Sequence, residues 1–216
     1  MAYSADASSR VLLGSSLVKK LVLKDTYVCS IRGGRVPLAI HLLKTRTDVQ
    51  NAVLAAEKMV LLFGGNDVSR HSSLNVLKSD YSKLIAEIRL INPNLGHNEL
   101  VVSEILPRGN FSPAQEEARV GFNRDLRRRT LALWGVSKIE MDASFTYLDG
   151  NKKKCQKQDL FNKDLTHPNM QGEELMQDKI RTKLCTAKSD NIKQNIVMHW
   201  RDLNNQPEGC SCSDCR

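Results

Sequence analysis

Four residues have types and settings suited to acyl transfer: Ser16, Asn66, Asp164 and His167. A serine hydroxyl is a weak nucleophile until a base takes its proton. His167 can be that base. Asp164, three residues earlier in a turn, can hold the imidazole tautomer and stabilise the imidazolium. Oxyanion donors are available at Gly33-Gly34, where the absence of a side chain lets a backbone N–H approach, and at the Asn66 amide. Ser15 stands directly beside Ser16, so two hydroxyls compete for the nucleophile's place.

These groups can meet only if the intervening chain brings them to one edge of a fold. Apolar runs occur at Arg10–Gly14, Tyr27–Ile31, Met59–Phe63, Glu99–Leu106 and Val136–Met141. Several end in Gly or Pro, which reads as a buried strand followed by a turn. Between them lie segments with helical spacing: Pro37–Lys44, 72–90 with Leu74, Leu77, Tyr81, Leu84, Ile85 and Ile88, and 112–134 opened by Ser112-Pro113. Residues 160–167 read as a loop and 168–184 as a closing helix. Strands alternating with helices predict a parallel sheet covered on both faces, with its chemistry in loops at the strands' carboxyl ends. The Ser, Gly-Gly and Asn groups each follow a strand, and the Asp164 to His167 loop can fold over that edge. Residues 92–98 and 107–113 are expected to line the site.

The order GSSL, Gly-Gly, GGND, DLTH resembles the four blocks of the SGNH (GDSL-like) hydrolases, over about residues 10 to 185. The resemblance implies a three-layer α/β/α fold with a five-stranded parallel sheet, flavodoxin-like in type. It also implies a serine esterase that works through an acyl-enzyme and needs no metal or organic cofactor. Ser16 would be nucleophile and first oxyanion N–H, Gly33 (or its neighbour Gly34) the second, Asn66 the side-chain donor, and Asp164 and His167 the rest of the triad. The blocks favour Ser16 over Ser15 as nucleophile. The family usually has Asp where this chain has Ser15, which brackets the expectation between a working esterase and an SGNH-fold module of weak or no activity. Asp67 is expected to brace the Asn66 loop by local hydrogen bonds.

At 216 residues the chain suffices for one domain with a real core. Residues 1–9 read as a flexible N-terminus, 10–185 as the hydrolase-like domain and 186–216 as a polar, cysteine-containing tail. The formal net charge of +8 gathers at Lys19/Lys20/Lys24, Arg127/Arg128/Arg129 and Lys152/Lys153/Lys154. Such clusters either are solvated surface or attract phosphates of nucleic acid or anionic membrane, beside the small-molecule or lipid ester expected as substrate. Esterases of this type also occur in retrotransposon proteins that bind RNA. There is no GxxxxGK or GxGxxG loop, which argues against a nucleotide-dependent enzyme. His41, His71, His97 and His199 read as surface or capping residues. Cys210, Cys212 and Cys215 with His199 could form a zinc site, although their spacing is not a paired CxxC arrangement. Scattered Cys29, Cys155 and Cys185, with no secretory leader pattern, point to free thiols and an intracellular, cytoplasmic setting.

Overall fold

The computed structural model describes residues 9–70, 73–151 and 154–185, with the side chains of 129–133 left out. The tail 186–216 with its candidate zinc residues, and also His71, Lys152 and Lys153, lie outside the described residues.

Five parallel strands form the sheet: β1 (Arg10–Ser15), β2 (Thr26–Ile31), β3 (Lys58–Leu62), β4 (Leu100–Ser103) and β5 (Ser137–Ile139), in the order β2-β1-β3-β4-β5. This is the flavodoxin-like order, in keeping with the fold that the resemblance implies. Successive side chains on a strand point to opposite faces. Val11, Leu13, Met59, Leu61, Leu100 and Val102 therefore join one buried cluster, whereas Leu12, Val60, Leu62 and Val101 join a second.

The first cluster is covered by α1 (Val36–Thr45), α2 (Thr47–Ala55), α4 (Leu74–Ile91) and α5 (Pro113–Leu133). The second is covered mainly by α7 (Met170–Cys185), through Met176, Ile180 and Leu184. Two short helices, α3 (Gly65–Ser69) and α6 (Asp142–Phe145), sit in the connections. A small antiparallel hairpin, β6 (Thr146–Leu148) and β7 (Lys154–Gln156), stands outside the main sheet. Among the described residues no helix is long and apolar enough to cross a membrane.

The helix starts follow their capping residues. Ser112 and Gln115 form a reciprocal box: Gln115 N–H donates to Ser112 Oγ at 3.3 Å and Ser112 N–H to Gln115 Oε1 at 2.8 Å. Ser73 caps α4 by accepting from Val76 N–H. The closing helix begins at Met170, two residues later than Pro168, because Asn169 takes the capping place and its Oδ1 accepts from Gly172 N–H.

Two of the basic clusters are partly structural rather than free surface. Asp142, almost fully buried, accepts from Arg119 at 2.6 Å, from Arg127 at 3.1 Å and from Lys154. Buried Glu104 takes Arg127 and the N–H groups of Met141 and Asp142. Burial works against the Asp142 carboxylate, yet Arg119 and Lys154 hold its pKa below the usual range. Arg127 and Lys154 thus pin α5 and the hairpin to the end of β4, and their charge is already neutralised.

Gly64 closes β3 at φ +104, a conformation that side chains disfavour, and a Cβ there would lie 2.5 Å from Ile105 Cδ1. Gly64→Ala is expected to destabilise the fold by about 1–3 kcal/mol, read as a lower urea midpoint. An unchanged midpoint would show that Ile105 and the turn relax freely.

Candidate active site

Ser16 follows directly on β1. Ser15 is still extended at the strand's end, and Ser16 opens a single helical turn over Ser16–Val18. The turn moves the chain out of the sheet, so the two serines differ in exposure. Ser15 is buried, 3 % exposed, whereas Ser16 lines an open cavity of about 700 Å³. Ser16 Oγ lies 3.3 Å from His167 Nε2, within hydrogen-bond reach. The structure therefore brings Ser16, not Ser15, to the imidazole. Where an ester is turned over, Ser15→Ala is expected to retain most of the rate that Ser16→Ala loses. The reverse pattern would favour Ser15 over Ser16.

His167 Nδ1 lies 2.7 Å from Asp164 Oδ2, and Asp164 Oδ1 accepts from the backbone N–H groups of Thr166 and His167. These bonds hold the Asp164 carboxyl at a pKa of about 2, the backbone bond from His167 being the largest cause and its ring the next. The pair stands at the surface, with side-chain exposures of 46 % and 50 %. Water screens it more than it would a buried pair.

The loop carrying this pair is clamped. Leu165 takes a left-handed φ of +51, a strained value for a leucine. Its carbonyl accepts from Gly109 N–H at 2.9 Å and Gln156 Nε2 at 3.0 Å. Asn162 bonds the His167 carbonyl through both its backbone and its side chain.

The two N–H groups of the Gly33-Gly34 turn differ in their use. Gly34 N–H closes the turn on Ile31 O at 2.9 Å, and Gly33 takes the φ of +62 that the third turn position requires. The Gly33 N–H is not used in that bond. Gly34 is needed for contact: a Cβ there would sit 3.2 Å from Ser15 Cα and still closer to Ile31. Asn66, at the start of α3, reaches the same turn, its Nδ2 donating to Gly34 O at 3.0 Å. Three of the four blocks thus touch one another, and His167 meets the first of them.

Asp67 braces this edge, but not locally. Its Oδ1 accepts from Val36 N–H at the first turn of α1, 3.1 Å away, and so ties the Asn66 loop to the helix after Gly33-Gly34. Burial raises its pKa, and the Val36 bond works against that rise.

The expectation for residues 92–98 fails. Asn92 ends α4, and its amide donates to the carbonyls of Val53, Leu54 and Ala56 just before β3. A helix returning antiparallel to the strands delivers its C-terminus to their amino edge, opposite Ser16. Residues 107–113 do reach the site, through Arg108 and Gly109 rather than as cavity wall. Arg108 was not singled out from the sequence. It donates to Asn66 Oδ1 at 3.0 Å and Ser69 Oγ at 2.8 Å. The cavity wall instead comes from Leu17, Lys19, Lys20, Asn162, Lys163, Pro168 and Glu173. Of its lysines, Lys20 is paired with Glu173 at 3.2 Å. His41 is exposed, as expected of a surface residue, whereas His97 is partly buried and its Nδ1 has no hydrogen-bond partner. Cys29, Cys155 and Cys185 carry free thiols.

No protein-family model matches the chain, and no curated protein matches its sequence. Solved structures do. A GDSL-like lipase from Bacteroides thetaiotaomicron superposes with a TM-score of 0.65 at 16% identity, over 85% of this chain and 91% of that one. A lipase from a goat rumen metagenome gives 0.59 at 18% identity, over 81% and 96%. A carbohydrate esterase of family 3 from Talaromyces cellulolyticus gives 0.58 at 17% identity, over 84% and 98%. At these identities the likeness is one of fold: the chain has the three-layer α/β fold found in GDSL-like hydrolases.

Proposed function

We propose that this protein is a serine esterase of the SGNH type, hydrolysing carboxylic esters through an acyl-enzyme. The reading rests above all on one contact chain: Ser16 Oγ to His167 Nε2 at 3.3 Å, and His167 Nδ1 to Asp164 at 2.7 Å. Ser16 Oγ attacks the ester carbonyl while His167 Nε2 takes its proton. The tetrahedral oxyanion is held by the N–H groups of Ser16 and Gly33 and by Asn66 Nδ2. His167 then protonates the leaving alcohol, and the acyl-enzyme forms. Water attacks with His167 again as base, releasing the acid and free Ser16. These steps need no metal or organic cofactor.

A chromogenic ester series of increasing acyl length, run on wild type and Ser16→Ala, tests the reading. Turnover by wild type and its loss in the variant support it; equal rates in both would refute it.

A second reading follows from the cavity rim, where Lys19 and Lys163 flank the nucleophile. An SGNH-fold module of weak activity, as in retrotransposon-encoded proteins, would bind RNA phosphates there. That module would bind RNA in a salt-dependent way and would do so equally as Ser16→Ala.

A further inference from the structure

Asn66 is held at both ends of its amide. Nδ2 donates to Gly34 O at 3.0 Å, and Oδ1 accepts from Arg108 Nη2 at 3.0 Å. A carbonyl only accepts and a guanidinium only donates, so the two partners together permit one orientation of the amide. In that orientation one Nδ2 hydrogen is used on Gly34 and the other has no partner among the described residues. Arg108 also draws density from Oδ1, which strengthens the remaining N–H as a donor.

The guanidinium is itself fixed. Nη1 donates to Ser69 Oγ at 2.8 Å, on the last turn of α3. Cζ stands 5.6 Å from the Phe111 ring centroid, within cation–π range. Gly65 gives it room, since a Cβ there would sit 2.6 Å from Nη2. Burial lowers the Arg108 pKa to about 10, with Asp164 and Asp67 opposing the fall, so the group stays charged at neutral pH.

We propose that Arg108 is a positioning residue for the oxyanion: it orients and polarises the Asn66 amide that receives the tetrahedral intermediate. This rests on the esterase reading above. It acts through Asn66, and so its effect belongs in the transition state and not in substrate binding.

The test is a double-mutant cycle of Arg108→Met and Asn66→Ala, with kcat and KM measured on one ester. Arg108→Met is expected to lower kcat by about tenfold to a hundredfold with KM nearly unchanged. The double variant is expected to be no slower than Asn66→Ala alone, because the arginine has nothing left to orient. Arg108→Lys, which keeps the charge but loses the fork, is expected to recover part of kcat. Losses that multiply in the double variant, or a loss confined to KM, would overturn the proposal. Should Arg108→Met fail to fold, Arg108→Lys carries the same cycle. The side-chain amide signals of Asn66 in isotope-labelled protein give a readout without turnover. They are expected to shift and to exchange faster in Arg108→Lys, and unchanged signals would overturn the proposal. A wild type that cleaves no ester would refute the esterase reading instead, leaving the amide signals to decide the role of Arg108.

Discussion

Ser16→Ala is expected to lower ester turnover by about four to six orders of magnitude, the range seen when a serine hydrolase loses its nucleophile. The attacking oxygen is removed, while the strand end that carries it is undisturbed. His167→Ala is expected to cost nearly as much, and the double variant little more than either single one, because the two residues act as a unit. Asp164→Asn should cost less, since it spoils orientation and charge but leaves the base in place. The pair's half-exposed setting reduces the electrostatic share of that cost. Rates measured at fixed substrate across pH should show the same architecture. Asp164 is ionised down to about pH 2, so its protonation falls outside the working range. No step owed to Asp164 should then appear on the acid limb, and a limb that follows protonation of Asp164 would contradict the account.

The second large effect is expected at Asn66. Asn66→Ala should lower kcat by about a hundredfold to a thousandfold, as loss of one oxyanion donor does elsewhere. Substrate binding should change little if, as proposed, the free Nδ2 hydrogen meets the oxyanion and not the ground-state carbonyl. A loss carried by KM would place Asn66 in substrate binding. The variant also loses the links to Gly34 and Arg108. Its melting temperature should be recorded with its kinetics to separate a collapsed edge from a missing donor.

Much of this arrangement was legible in the chain because it depends on local signals. Alternating burial along Val11–Leu13 and Met59–Leu62 comes from apolar runs; Gly64 marks the turn after β3, whereas Gly14 lies within β1, which runs on to Ser15. Ser112 with Gln115 announces the start of α5 by capping chemistry alone. What was not legible depends on long-range pairing. Arg108 looks like any arginine after a strand; only its contact with Asn66, from across the sheet edge, gives it a role. The bracing by Asp67 was expected, but its partner was not, because Val36 lies 31 residues away. The Arg127 and Lys154 charges read as possible phosphate sites until buried Glu104 and Asp142 are placed beneath them. Helix α2 and the β6–β7 hairpin were missed for a different reason. Few of their residues are buried, Val49 and Val53 in the helix and Thr146 in the hairpin, so the apolar period is faint.

The Gly33-Gly34 pair shows both limits at once. Two adjacent glycines predict a turn, but either could offer the oxyanion N–H. The Ile31 carbonyl takes the Gly34 N–H, and Gly34 must pack against Ser15, which is what favours Gly33 in the proposed mechanism. At the same edge the Ser15 carbonyl is tied by Ser30 Oγ at 3.2 Å.

The most direct test of the central claim is covalent labelling by a serine-directed fluorophosphonate, followed by peptide mapping of the adduct. An activated Ser16 should react, carry a single adduct at that residue and none at Ser15, and lose the adduct in both Ser16→Ala and His167→Ala. No adduct on the wild type, or an adduct that survives in Ser16→Ala, would contradict the assignment of Ser16 as a nucleophile activated by His167.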